Sequence, residues 1–339
     1  MTESTTVTAD PEVVSLINTI CADLAQTAQV PQDGSLNQDA WETLSQSGLL
    51  SLTDTNDPQS LAHAATLAEA IAHHRLAIPS GEHDIMSKWV GQTVGLDLDA
   101  TALVITTEVD RDGRSTRVPW ARHAQTFVAL SRTGEGLGIS VVTSDDVEIT
   151  PGLNHAGDAR DAIKIDPAAL ASAERVDPTL GDALRVRGAY LRAAQIVGAM
   201  NAAVEASLQY ASEREQFGRP IAKFPLVQRM LVESVNESQL GAAAVDHATL
   251  VVADPQATDS DKTMAVAIAR SVVAHAAGAV TRHAHQVHGA IGTTAEHPLH
   301  FSTQAMEAWA SEFGSTAHWE SLISEHLRAT TQPVWDLIS

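Results

Sequence analysis

Residues 210–228 read YASEREQFGRPIAKFPLVQ, and the fold is decided in this stretch. One long, regularly patterned helical stretch ends here and another begins, with Gly218, Pro220 and Pro225 between them. Arg214, Arg219, Lys223 and Arg229 crowd into or against it although the chain as a whole is acidic. Two arginines so placed can hold a phosphate bidentately, and Phe217 offers a flat apolar face to a ring. The stretch therefore points to a phosphate-bearing, ring-containing cofactor.

Outward from it, Leu184, Leu191, Ala194, Val197, Met200, Val204, Leu208 and Ala211 form one stripe at helical spacing. Gly188 and Gly198 on the same stretch allow neighbours to approach closely. Downstream, residues 226–253, 259–288 and 298–313 give three more helices, and 315–329 a shorter fifth after Gly314. Such lengths with short connections predict a four-helix bundle.

Further upstream the pattern changes to short β-like runs at 102–107, 126–130, 137–143, 147–150 and 162–165, separated by turn residues such as Asp112-Gly113, Gly134 to Gly136 and Pro151-Gly152. A small, largely antiparallel β domain is expected. The front of the chain reads as helical. Val13, Leu16, Ile17, Ile20 and Leu24 recur at three and four, residues 38–48 give a short helix, and 57–74 a longer one beginning at Asp57-Pro58. Residues 1–10 are a polar tail. The expected class is α+β, with a helical domain over 1–100, a β domain over 101–177 and a helical bundle over 178–339.

The 339 residues, 44% of them hydrophobic, suffice for two or three domains. A charge of -21, from 42 acidic against 21 basic residues, repels phosphate backbones and anionic lipid, so neither nucleic acid nor a membrane surface is an expected partner. Cys21, the single cysteine, rules out an intrachain disulfide, lies beside an apolar stripe and fits a cytoplasmic location. The start MTESTTVTADPE has no basic region before an apolar run, so no signal peptide is expected. Arg270 and His275 interrupt the longest apolar run, residues 264–280, and no spanning helix is expected.

Two motifs carry a resemblance. Arg214-Glu215-Gln216-Phe217-Gly218-Arg219-Pro220-Ile221 is similar to the R-x-x-F-G signature of the acyl-CoA dehydrogenase family. Gln286-Val287-His288-Gly289-Ala290-Ile291-Gly292, followed by Glu296-His297-Pro298, is similar to the family's Q-x-x-G-G-x-G and E-x-P. The order helix, β domain, helix also resembles the family, with a shorter front half.

The resemblance implies an FAD enzyme that makes a C2–C3 double bond in an acyl-CoA thioester, with electron-transfer flavoprotein as acceptor. It carries Arg214 onto the FAD pyrophosphate and Phe217 onto the adenine or ring. Gln286 and Gly289 match the segment that reaches a neighbouring subunit's FAD, and Ser315 joins the cofactor set. Val118-Pro119-Trp120-Ala121-Arg122-His123-Ala124 resembles a stretch of compact members, so Trp120 either faces the flavin or anchors the core. Departures are also plain. Ala290 replaces the second Gly of the pair, Pro225 stands where a Gln is common, Gln304-Ala305 replaces the R-D pair, and no T-E-P-x-x-G-S-D segment exists.

The catalytic glutamate's two family positions fall on Phe313 and Gly188, and neither holds a carboxylate. Glu312 is one residue off, which turns a helical side chain by about 100°. It serves as the base only if that turn is rebuilt, and otherwise reads as a solvated helix-end charge. His283, His285, His288, His297 and His300 lack the spacing of a zinc helix, so no metal is expected. The leading expectation is one subunit of a heteromeric α2β2 acyl-CoA dehydrogenase, resembling actinobacterial enzymes of steroid side-chain thioesters, whose homologous partner brings the missing base. A silent scaffold subunit and a flavin-dependent oxidase or monooxygenase are the alternatives.

Overall fold

The computed structural model describes residues 8–28, 30–54, 57, 59–99, 102–133 and 136–329. Residues 1–7 of the expected tail, Pro58 of the expected helix start and the turn residue Gly134 lie outside the described residues.

Side-chain caps start the first two helices. The Asp10 carboxylate accepts the Glu12 N–H at 2.8 Å and Pro11 takes the first helical position, opening α1 (Pro11–Ala25). The Asn37 side chain accepts the Ala40 N–H and opens α2 (Gln38–Gln46). Helix α3 (Ser60–His74) ends at Arg75, which turns left-handed at φ 53°. A π-helical segment, Glu82–Lys88, then runs into α4 (Trp89–Val94). Every residue of that segment is buried, charged Glu82, Asp84 and Lys88 included, so no amphipathic stripe announces it in the sequence.

The middle region forms two sheets. One has the order β1 (Val104–Val109), β3 (Thr126–Thr133), β4 (Gly136–Thr143), β7 (Glu174–Val176), and the other the order β2 (Arg114–Pro119), β6 (Arg160–Ile165), β5 (Val147–Thr150). The pairing is largely antiparallel, as expected, with one exception: β1 and β3 pair in parallel. Strand β2 crosses to the second sheet between them, so β3 returns in the direction of β1. β2 and β7 escaped the sequence reading, since β2 is mostly polar with one fully buried residue and β7 is three residues long. A one-turn helix, α5 (Pro167–Leu170), follows β6.

The rest is helical: α6 (Leu180–Glu213), α7 (Pro225–Ala253), α8 (Asp259–His288), α9 (Leu299–Ala310) and α10 (Thr316–Ala329). A two-residue hairpin, β8 (Glu215–Gln216) with β9 (Arg219–Pro220), joins α6 to α7. Helix α8 begins with a capping box of Thr258 and Asp261. It is long and apolar enough to cross a membrane, yet half of its most apolar window is buried inside the protein. Its Arg270, 1% exposed, donates to the carbonyls of Trp309, Ala310, Glu312 and Gly314 and so satisfies the end of α9. α3 is buried on both sides. Ala64, Ala68 and Ala72 face a core shared with α6 and α8, while Leu67 and Ile71 face a second core with α1, α2 and the sheets. At Gly198 any Cβ would stand 2.1 Å from the Glu69 carbonyl oxygen, so α3 and α6 cross with their backbones in contact.

Candidate functional site

The motif residues fall into two groups at opposite ends of α6. At its C-terminal end, Arg214 leaves the helix with extended backbone, and the hairpin beyond holds Phe217 at φ 53° with its ring 93% exposed. The Arg214 side chain forms no ion pair among the described residues and stands in solvent. Arg219 lies over the Phe224 ring at 4.4 Å. The end of α8 packs beside this point, with His288 stacked on Tyr210 at 4.6 Å between ring centres. Exposed Gln286 and Gly289 are thereby brought to the end of the bundle that carries Arg214 and Phe217. Gly289 has φ 64° and ψ -143° with nothing near the place of a Cβ, so its glycine is required by backbone conformation.

These residues fit a dinucleotide. A free guanidinium, an uncovered ring and a backbone turn open to solvent match a pyrophosphate and an adenine.

A cleft of about 540 Å³ lies at the other end, between β1, β2, the π-helical segment, the start of α6 and the turn after α9. Ile105 to Glu108 and Ser115 to Pro119 make one wall; Leu184, Arg185 and Ser311 to Gly314 make the facing one. The Thr107 and Ser115 hydroxyls meet at 3.1 Å. Beneath this lining, Thr106 Oγ1 and Glu82 Oε2 are buried without a hydrogen-bond partner, which is costly in a site that stays empty. The volume suits a cofactor ring or an acyl group.

The two family positions for the base meet here. Phe313, at φ 54°, lays its ring against Gly188, so a Cβ at 188 would stand 2.5 Å from the ring. One phenyl group occupies both places.

Glu312 is neither the solvated charge nor the rebuilt base that the sequence left open. It is 8% exposed and receives Arg160 Nε at 2.7 Å, Arg192 Nε at 2.6 Å and Asn154 Nδ2 at 3.2 Å. Burial alone would raise its pKa, but Arg160 and Arg192 outweigh it and hold the carboxyl at about 2. A carboxylate so held is a poor proton acceptor near neutral pH. Arg192, fully buried, also donates to Glu82 Oε1 at 2.8 Å. Beside it Asp158 takes Arg75 at 3.2 Å and the Trp309 indole N–H at 3.1 Å. Three cations and three carboxylates thus close a buried network under the cleft.

Trp120 takes the core alternative. It is 4% exposed, left-handed at φ 56°, and packs with Phe127 and Ala159 in the second core, which leaves no face for a flavin. Ser315 is exposed at the cleft end, where its Oγ accepts the His318 N–H at 3.2 Å. The structure therefore does not bring it to Arg214. Among the histidines, His283 lies 3.5 Å from Glu233, His285 meets the Thr303 hydroxyl, and His288 and His297 touch edge to face. Burial lowers the pKa of His285, His288 and His297. No group of metal-capable side chains assembles among the described residues.

Sequence reasoning missed Glu82, Arg160 and Arg192. Arg192 was the one with a signal, since it lies one turn beyond Gly188 on a buried helix and so had to find buried anions.

Residues 187–327 match the family described as acyl-CoA dehydrogenase, C-terminal domain. Acyl-CoA dehydrogenase IpdE2 of Mycolicibacterium smegmatis is 35% identical over 123 residues, which is 36% of this chain and 37% of that protein. The matches span 19%, 37% and 52% of three curated mycobacterial relatives, so the chain spans about half their length or less. Among solved structures, a chain of the ChsE4-ChsE5 complex from Mycobacterium tuberculosis superposes with a TM-score of 0.83 at 19% identity, covering 96% of this chain and all of that one. The Tcur3481-Tcur3483 steroid ACAD variant gives 0.76 at 18% identity, over 94% and 98%. At such identities the likeness is one of fold.

Proposed function

We propose that this chain, whose residues 187–327 match the acyl-CoA dehydrogenase C-terminal domain, serves as one subunit of an FAD-dependent acyl-CoA dehydrogenase and completes its sites with a homologous chain. The observation that carries the reading is a distance. Gly188, at the cleft, and Arg214, at the phosphate-binding end, are separated by 26 positions (214 minus 188) along one helix, or about 39 Å at 1.5 Å per residue. One FAD does not reach from the cleft of a chain to the Arg214 of the same chain. In this reading the cleft of one subunit and the hairpin of another share each cofactor.

In this reading Arg214 neutralises the pyrophosphate, the Gly289 turn offers backbone N–H groups, and Phe217 and Gln286 border the adenine. FAD, when bound, supplies the hydride acceptor. The chain's own contribution at its cleft is to bind and enclose, because Phe313 and Gly188 provide no proton acceptor and Glu312 is tied to two arginines. The homologous subunit supplies the base in a heteromeric assembly, with electron-transfer flavoprotein as the external acceptor. A ring-bearing acyl group is supported by the volume of the cleft, about 540 Å³, and by the fold shared with a steroid enzyme.

Arg214→Ala in the purified oligomer tests this by FAD titration. Loss of a charge-assisted phosphate contact weakens binding by about 1.5–3 kcal/mol, or about 10- to 150-fold. Unchanged flavin affinity would favour the second reading, a subunit that stabilises its partner without touching flavin, which the phenyl ring over Gly188 also suits.

A further inference from the structure

A second cavity, of about 400 Å³, lies across α6 from the cleft and belongs to neither half of the flavin site. It is bounded by α4, the start of α6, the last turn of α7, the first turn of α8 and α10. On α6, Leu184, Arg185 and Gly188 mark the cleft side, while Ala183, Val186 and Arg187 line this cavity. At 100° per residue the two sets centre on opposite faces of the helix.

Its walls are apolar, with Trp89, Val186, Val252, Met264 and Leu322. Into them projects Arg187, half-buried, with its guanidinium 4.4 Å from the centre of the Trp89 ring. Arg187 Nη1 donates to the Ile85 carbonyl at 3.2 Å. Its Nε and Nη2 have no hydrogen-bond or ion-pair partner among the described residues, and the side chain lines the cavity. Burial holds the guanidinium down at about 10, outweighing the raising contributions of Tyr190 and Asp84. Arg192, further along the helix, is held by two carboxylates. Lys262 and His326 line the same cavity without an ion pair among the described residues. Two acids also reach it: Asp259, and Asp182, which pairs with Arg185 at 3.6 Å.

We propose that this cavity binds an amphipathic monocarboxylate, its head on Arg187 and Lys262 and its apolar body along Trp89, Val186 and Leu322. A planar guanidinium with two unused N–H donors matches a carboxylate bidentately. The apolar walls reward an alkyl or ring body. Asp182, Asp259 and the overall charge of -21 weigh against a dianionic phosphate. The inference does not depend on the flavin reading, since none of its residues touches the cleft or the hairpin.

Octanoate is the probe, titrated into the purified full chain by calorimetry, with Trp89 fluorescence isolated by comparison with Trp89→Phe. Saturable one-site binding is expected, weakened about tenfold or more in Arg187→Met and for the uncharged probe octanamide, and several-fold in Lys262→Met. Inorganic phosphate should not displace it. Absence of saturable binding, equal binding of octanamide, or displacement by phosphate each overturns the proposal. Should Arg187→Met fail to fold, octanamide and the variant Lys262→Met, at a half-buried position, still decide.

Discussion

Glu312→Gln should unfold this protein more readily rather than merely silence it. The substitution leaves Arg160 and Arg192, 5% and 0% exposed, without the charge that compensates them. Removing one partner of a buried ion pair costs about 3–5 kcal/mol. The depressed carboxyl points the same way, since lowering it from 4.5 to about 2 corresponds to about 3 kcal/mol of stabilisation at neutral pH. The sign follows from the depressed value. This stability is fully present above about pH 4.5 and is lost as the pH falls from there towards 2. Urea unfolding followed by circular dichroism at pH 7 and again near pH 3 reads both effects. Wild type and variant should differ by about 3 kcal/mol or more at pH 7 and converge in acid. A difference below about 1 kcal/mol at pH 7, or one that does not shrink in acid, would refute the buried network and return Glu312 to the list of candidate bases.

Three further outcomes follow from the packing and the charges. Gly198→Ala drives a methyl group towards the Glu69 carbonyl at 2.1 Å and should cost about 3 kcal/mol or more in a denaturation experiment, whereas near-neutrality would deny the backbone contact of α3 and α6. Gly188→Ala meets the Phe313 ring and should destabilise by about 1–3 kcal/mol; in a Phe313→Ala background that cost should largely disappear, and strict additivity would show that the two residues do not touch. Burial, with Asp246 nearby, raises Glu69 to about 8, so stability should fall as pH rises from about 4.5 towards 8, and Glu69→Gln should flatten that slope; an unchanged slope means the carboxyl is solvated.

The readability of the sequence divided along a physical line. Arg214, Phe217, Gln286 and Gly289 lie in short motifs whose backbone is set by neighbours in the chain, and the structure brings them to one end of the bundle. The long helices declared themselves through apolar stripes, as α6 to α8 show. Glu312 could not be read this way, because its partners Arg160 and Arg192 are 152 and 120 residues distant. Trp120 was undecided for the same reason, its surroundings being Phe127 and the second core rather than its own motif. The π-helical segment and β2 supply much of the cleft, yet one is buried on every side and the other is largely polar. Neither carries the periodicity from which a sequence reader works.

Whether each flavin is shared between two chains is read most directly from the native mass of the flavin-bearing species. The chain should be expressed alone and together with a homologous subunit, then separated by size with absorbance recorded for both protein and flavin. Flavin is expected only in species of two or more subunits. A monomer of this chain holding stoichiometric FAD would contradict it, since the cleft and Arg214 of one chain stand about 39 Å apart.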